Sequence, residues 1–163
     1  MRTSTLLTAL TAAAAAFTLS VVEPPVAAHC QIPCGIYDDP MRVTMLKEDA
    51  TTIQKAVTSM GSLVKDSENA LAMNQFVRWT TVKDDTATNI QRIVSDYFLT
   101  QRVKAVPAGD PGRAAYLDQL AKMHAILVAA MKCKQTADPA NVQVLIDSID
   151  AIAPMYSPHD HGG

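Results

Sequence analysis

Apolar residues recur at intervals of three and four residues in four segments of this chain, a spacing that places them on one face of an α-helix. Helix-start signals precede three of these segments. Asp110-Pro111 and Asp138-Pro139 each join a capping carboxylate to a proline suited to the first helical turn, and the turn Asp38-Asp39-Pro40 precedes the first segment. The sequence therefore predicts four amphipathic helices.

The second segment is the longest, because no proline interrupts it between Asn69 and Pro107. We expect one helix there, bent near Thr80-Thr81. Four apolar stripes joined by short connections are buried most simply in an antiparallel four-helix bundle, so the predicted fold class is all-α. The residues predicted to face the core are Leu46, Ala50, Ile53, Val57, Met60 and Val64, then Met73, Phe76, Thr80, Ala87, Ile90, Val94, Tyr97 and Phe98, then Leu117, Leu120, Met123 or His124, Leu127 and Met131, and finally Val142, Leu145, Ile146, Ile149 and Ile152.

Length and charge narrow the class of protein. The chain has 163 residues, of which 48% are hydrophobic and 5% aromatic. This length is typical of one globular domain, or of one domain preceded by a leader. The formal net charge is −2 and no basic cluster stands out, which argues against a nucleic-acid-binding protein.

Residues 1–28 have the features of a leader peptide. Arg2 is followed by a nearly uncharged apolar run from Leu6 to Val22, and Ala28 is a small residue at the position before a cut. We predict a secretory-type signal peptide that is cleaved after Ala28. The alternatives are an uncleaved anchor and a misassigned start.

This cleavage predicts an exported protein, periplasmic or extracellular, with no stable membrane association after processing. The alternative is a cytoplasmic protein whose leader is removed by a dedicated protease. The predicted regions are the leader at 1–28, an N-terminal metal hook at 29–40, the bundle at 41–156 and a flexible tail at 157–163.

The ten residues after the predicted cut, HCQIPCGIYD, concentrate metal-binding groups. The freed amine of His29 and the backbone nitrogen of Cys30 form one five-membered chelate ring, and the Cys30 nitrogen and sulfur form a second. A turn at residues 33–35 brings round the sulfur of Cys34, and the His29 imidazole can reach an axial position. Such a planar set of nitrogen and sulfur donors suits nickel(II) or copper(II), whereas zinc prefers a tetrahedron.

The residues alone leave two other interpretations open. Cys30 and Cys34 are close enough in sequence to pair as a disulfide in an exported chain, which would suit a helical interaction protein. The same donors would also suit an exported metal carrier that performs no turnover. We expect the third cysteine, in Lys132-Cys133-Lys134, to be a partly exposed thiol.

The segment from His29 to Tyr37 closely resembles the nickel hook of nickel-containing superoxide dismutases, which has the form H-C-x-x-P-C-G-x-Y. Ser95-Asp96-Tyr97-Phe98 resembles a second segment of that family. The resemblance implies a four-helix bundle that assembles as a homohexamer, with one nickel ion per subunit. It also implies the reaction, disproportionation of superoxide to oxygen and hydrogen peroxide by cycling between nickel(II) and nickel(III).

On this resemblance, three residues bind the metal. His29 supplies its amine and an axial imidazole, Cys30 its amide and thiolate, and Cys34 a second thiolate. Tyr37 would gate substrate or order water by the metal, and Tyr97 matches a second tyrosine near the site. The apolar neighbours of Tyr97 also fit a residue that only packs between helices.

The remaining polar candidates are assigned less directly. The family holds the axial imidazole with a carboxylate backed by a basic residue, for which the candidates are Glu48, Asp49 and Arg78. His124 lies beside an apolar stripe, so we expect a core or interface residue there rather than a ligand. The tail histidines are expected in a solvated segment, where they are weak metal donors: His159 and His161.

Overall fold

A computed structural model describes Pro33 and residues 35–156. Residues 35–156 contain four α-helices and no strand, which confirms the all-α fold class. Among these helices, none is long and apolar enough to cross a membrane. The helices are α1 (Asp39–Leu63), α2 (Ala70–Arg92), α3 (Arg113–Gln135) and α4 (Pro139–Asp150).

Polar side chains set the starts of these helices. The side chains of Asp38, Asn69 and Asp138 each accept a hydrogen bond from a main-chain N–H in the first turn of α1, α2 and α4. These N–H groups have no partner inside the helix, so each cap stabilises a helix start. At α3 the carboxylate of Asp110 instead accepts from the Gly112 N–H at 2.7 Å and caps the turn before the helix.

The long second segment changes its helix type near its end. After α2 the chain continues as a π-helix over Ile93–Arg102, and the Val103 N–H donates to the Phe98 carbonyl five residues earlier, at 2.8 Å. The α-helix is unbroken through Thr80-Thr81, and the bend expected there stays a prediction. The departure from α geometry lies at the C-terminal end of this segment.

The helices pack around one core. α1 and α3 each pack against both α2 and α4. Asp39 contacts Arg102 whereas Asp49 contacts Asn89, so α1 and α2 run in opposite directions. The largest fully buried side chains are Phe98, Leu46, Ile53, Ile90, Met123, Ile126, Leu145, Ile149 and Ile152.

Helix ends account for most errors in the predicted core. Each misplaced residue lies within two turns of a helix end, where the neighbouring helices no longer cover that face. The predicted core residues that are exposed are Val64, Met73, Leu117 and Met131.

Two further expectations concern side chains of α3. Met123 is buried and His124 is exposed, so the stripe runs through the methionine and His124 is not a core residue. Cys133 is buried, with 1% exposure, and the prediction of a partly exposed thiol was wrong. Cys133 lies three residues after the buried Ala130, on the inner face of α3, while its two lysine neighbours in sequence point to solvent.

Candidate active site

The predicted metal ligands His29, Cys30 and Cys34 lie outside the described residues, as do His159 and His161. Within the part of the chain that the structure describes, no group of three or more histidine, cysteine or carboxylate side chains is arranged to hold a metal ion. The structure does describe the residues at the end of the motif, from Gly35 onward, and the side chains that surround Tyr37.

Gly35 explains why the hook motif carries a glycine at its end. Its φ is 79°, in the left-handed region that glycine adopts without a steric penalty. The next three residues, 36–38, are in no helix and lead directly into α1. Tyr37 is therefore presented on a short non-helical segment, with 37% of its surface exposed.

The structure brings the two predicted tyrosines into contact. The rings of Tyr37 and Tyr97 meet edge to face, with centroids 5.8 Å apart and an interplanar angle of 80°. This is a favourable arrangement for two aromatic rings. Tyr97 also meets Phe98 edge to face at 5.0 Å and is only 3% exposed, so it packs in the core as well as facing Tyr37.

A carboxylate at the start of α1 joins Tyr97 to an arginine. The Tyr97 hydroxyl donates to Asp39 Oδ1 at 2.6 Å. Arg102 donates from Nε to the same oxygen at 2.8 Å and from its terminal nitrogen to Oδ2 at 2.8 Å. Such a two-pronged pair is among the stronger ionic contacts in proteins, because both charge and geometry are matched.

Two guanidinium groups lie against the tyrosine rings. The Arg102 guanidinium carbon is 4.4 Å from the centroid of Tyr37, and that of Arg42 is 5.0 Å from the centroid of Tyr97. Both distances are within the range of cation–π attraction. Arg42 makes no ion pair with a carboxylate among the described residues.

The environment keeps the Tyr97 hydroxyl protonated. Burial raises the pKa of Tyr97 above its ordinary value, and the hydrogen bond to Asp39 raises it further, while Arg102 and Arg42 act in the opposite direction. The pKa of Arg102 is raised as well, chiefly by its hydrogen bonds to Asp39. At neutral pH the cluster therefore consists of a neutral phenol donating to an ion pair.

The three candidates for holding the imidazole lie elsewhere in the chain. Glu48 and Arg78 are exposed. Asp49 accepts a hydrogen bond from Asn89 at 2.8 Å, and burial raises the pKa of its carboxyl. Asp49 lies ten residues beyond Asp39, about 15 Å along α1. Within one chain, the structure does not bring these three side chains to the tyrosine pair.

Sequence reasoning missed Asp39, Arg42 and Arg102. Asp39 was assigned only to a turn, although its place two residues after the motif tyrosine was a usable signal. Arg102 had no such signal. In an α-helix it would point roughly 140° away from Tyr97, five residues earlier, so helical periodicity separates the two.

The fold and the donor-rich segment before it define the class, a metalloprotein built on an all-α bundle. The chain belongs to the nickel-containing superoxide dismutase family, whose family model matches residues 24–159. This match confirms the family resemblance, the oxidoreductase activity on superoxide and the nickel cofactor. Comparisons with curated proteins and with solved structures gave no match.

Proposed function

We propose that this chain disproportionates superoxide at a nickel ion held by its processed N-terminus, with His29, Cys30 and Cys34 as the ligands. The observation that carries this proposal is the contact between the rings of Tyr37 and Tyr97. The Tyr97 hydroxyl donates a hydrogen bond to Asp39, and Tyr37 lies three residues after Cys34.

The donor set fits nickel on chemical grounds. Residues 29–34 offer an amine, an amide nitrogen, two thiolates and an imidazole. Strong nitrogen and sulfur donors in a plane are the preference of nickel(II). When bound, nickel supplies a one-electron couple between its +2 and +3 states, which is the chemistry that superoxide disproportionation needs. Pro33 and residues 35–156 contain no competing cluster of donors.

The covalent chain supports a role for Tyr37 beside the metal. Three residues of fully extended backbone span at most about 11 Å, so Tyr37 cannot lie far from Cys34. Tyr37 is partly exposed, and its hydroxyl makes no hydrogen bond among the described residues, so we propose that it orders water or substrate at the opening of the site. Protons that convert reduced superoxide to hydrogen peroxide would arrive through such water.

Tyr97 takes a different role from Tyr37. Its only proton is donated to Asp39, so its oxygen can take part in a further hydrogen bond only as an acceptor. We propose that Tyr97 forms the wall of the site and orients Tyr37 or an ordered water, while its proton stays in place.

Removal of residues 1–28 is the proposed activating step. With the leader attached, the nitrogen of His29 is an amide and cannot serve as an amine ligand. N-terminal sequencing of the purified protein should therefore begin at His29, and elemental analysis should find about one nickel per chain, as expected for a single ligand set. An extended protein that retains the leader should contain little nickel and consume no superoxide.

The cysteines provide a matched test of the ligand set. Cys30→Ser and Cys34→Ser should each abolish nickel binding and superoxide consumption. Cys133→Ala changes the third cysteine, which is buried in α3, and should keep both. This assignment would be excluded if the purified protein contained stoichiometric zinc or copper and did not consume superoxide. Full activity of a protein with additional residues before His29 would also exclude it.

We also propose that the mature protein is exported and forms a homohexamer. The family resemblance supports the hexamer, and the composition of residues 1–28 supports export. Sedimentation of the mature protein tests the first and cell fractionation the second. A monomer at working concentration would exclude the hexamer. Mature protein found in the cytoplasm would favour the alternative, a dedicated leader protease.

A further inference from the structure

We propose that Asp39 is a positioning residue for this reaction: held by the two-pronged contact of Arg102, its carboxylate sets the orientation of both tyrosine rings. This inference rests on the proposed function, because it assumes that Tyr37 and Tyr97 act beside the nickel hook. Asp39 comes two residues after the last residue of the H-C-x-x-P-C-G-x-Y motif, and Arg102 lies four residues after the segment Ser95-Asp96-Tyr97-Phe98.

Among the described residues, every hydrogen bond of the Asp39 carboxylate is made with Tyr97 or with Arg102. Oδ1 accepts from the Tyr97 hydroxyl at 2.6 Å and from Arg102 Nε at 2.8 Å. Oδ2 accepts from Arg102 at 2.8 Å and 3.1 Å. The Arg102 guanidinium in turn lies against the Tyr37 ring, with 4.4 Å from its carbon to the centroid. Asp39 thus contacts one tyrosine directly and the other through Arg102.

The π-helix makes this arrangement possible. Main-chain hydrogen bonds over five residues characterise this stretch, as from the Val103 N–H to the Phe98 carbonyl at 2.8 Å. In such a helix, residues five apart lie on the same face, so Tyr97 and Arg102 both reach one carboxylate. Wide helical turns of this kind are frequent at functional sites.

Partial burial makes the loss of the Asp39–Arg102 ion pair costly. The side chain of Asp39 is 16% exposed and that of Arg102 is 31% exposed, so water cannot fully replace a lost partner. Without the carboxylate, the Tyr97 hydroxyl and the Arg102 guanidinium each lose their described acceptor. We expect both rings to sample other orientations, which weakens catalysis without removing a metal ligand.

The chain offers a matched pair of variants to test this. Asp39→Asn removes the charge that Arg102 requires. Asp138→Asn makes the same change at the start of α4, where the described side-chain contact is the helix cap, and asparagine caps as well as aspartate. Arg102→Lys keeps the charge and loses the two-pronged geometry. All are measured as mature protein, with nickel content, melting temperature and kcat/KM for superoxide.

We expect Asp39→Asn and Arg102→Lys to bind nickel as the parent does and to lose about tenfold in kcat/KM, the order expected for one charge-assisted hydrogen bond. Asp138→Asn should stay within about twofold, as expected for a preserved cap. The near-ultraviolet circular dichroism of the tyrosines should change in the first two variants only. The proposal would be overturned if all three variants had the melting temperature, nickel content, dichroism and kcat/KM of the parent protein.

A double-mutant cycle separates positioning from a merely structural role. If Asp39 acts through Tyr97, then adding Asp39→Asn to Tyr97→Phe should cost much less than tenfold in kcat/KM, because neighbouring residues in one network are not additive. Full additivity would overturn the proposal, and so would loss of nickel from a folded Asp39→Asn protein. Failure of the proposed function looks different: the parent protein itself would then lack nickel, or would keep its activity without Cys30 and Cys34.

Discussion

Lys83 of α2 donates a hydrogen bond from its ammonium group to the main-chain carbonyl of Cys133 in α3, at 2.6 Å, although the lysine is only 2% exposed. It also donates to the Lys134 carbonyl at 3.0 Å and pairs with Asp84 at 2.7 Å. The carbonyls of a last helical turn have no N–H partner within the helix. Lys83 therefore satisfies the end of α3 and joins it to α2.

Loss of this contact should destabilise the bundle. Lys83→Met leaves the buried Cys133 carbonyl and the partly buried Lys134 carbonyl without this donor, so we expect the free energy of unfolding to fall by roughly 2–3 kcal/mol. Urea denaturation measures this change in the free energy of unfolding. Lys134→Met is the matched control, because that ammonium is exposed and donates only to Thr88; its effect should stay within about 0.5 kcal/mol. Equal effects of the two variants would contradict this account.

Arg42 should speed the arrival of substrate. Superoxide is an anion, and this guanidinium lies beside Tyr97 with no carboxylate partner among the described residues. We expect Arg42→Met to lower kcat/KM severalfold at low salt and to flatten its dependence on ionic strength, because salt screens such attraction. Lys65→Met removes an equal charge at the far end of α1 and should leave the salt dependence in place. If kcat/KM depended equally on ionic strength in both variants, this role of Arg42 would be excluded.

Alkaline pH should weaken the fold through Tyr97. Its pKa is raised in the folded protein, so the contribution of Tyr97 to stability is fully present below the ordinary tyrosine pKa of about 10. Above that pH the unfolded chain loses this proton first, and the contribution disappears as pH rises through the folded pKa. Urea denaturation should show a shallower alkaline decline for Tyr97→Phe than for the parent.

Ultraviolet titration of the tyrosines provides an independent check. Tyr97→Phe should remove a tyrosine that ionises late, while the earlier part of the curve is unchanged. Loss of an early-ionising tyrosine instead would contradict the burial and the hydrogen bond to Asp39 as causes of the raised pKa.

Cys133 should be unreactive in the folded protein. Burial raises the pKa of its thiol, an effect that the nearby Lys83 charge only partly opposes, and the thiolate is the reactive form. We expect alkylating reagents to label Cys133 at neutral pH only after unfolding. Peptide mass spectrometry distinguishes it from Cys30 and Cys34. Labelling of the native protein at the rate of the unfolded chain would show that this part of α3 opens readily.

The sequence predicted the helices well because their signals are local. Asp138 caps α4 through an N–H two residues away, as predicted from its place before Pro139, whereas Asp110 caps only the turn before α3. The apolar stripes failed at Leu117 and Met131, because periodicity shows which face is apolar but not how far a neighbouring helix covers it.

The hook motif was equally accessible from sequence, because its donor groups are neighbours along the covalent chain. The family match to residues 24–159 confirmed the resemblance that rested on it. The partners of the tyrosines were not accessible in this way. Nothing in the order of residues shows that one aspartate accepts from both Tyr97 and Arg102.

The sequence by itself predicted the four helices and a metal-binding segment next to the predicted cut, since both predictions depend on residues a few positions apart. Only the tertiary structure decided which side chains surround Tyr37 and Tyr97. Asp39 is separated from Tyr97 by 58 positions and from Arg102 by 63, so the antiparallel packing of α1 against α2 had to bring them together. The π-helix then turned Tyr97 and Arg102 to the same face, a change of helical pitch that α-helical periodicity does not predict.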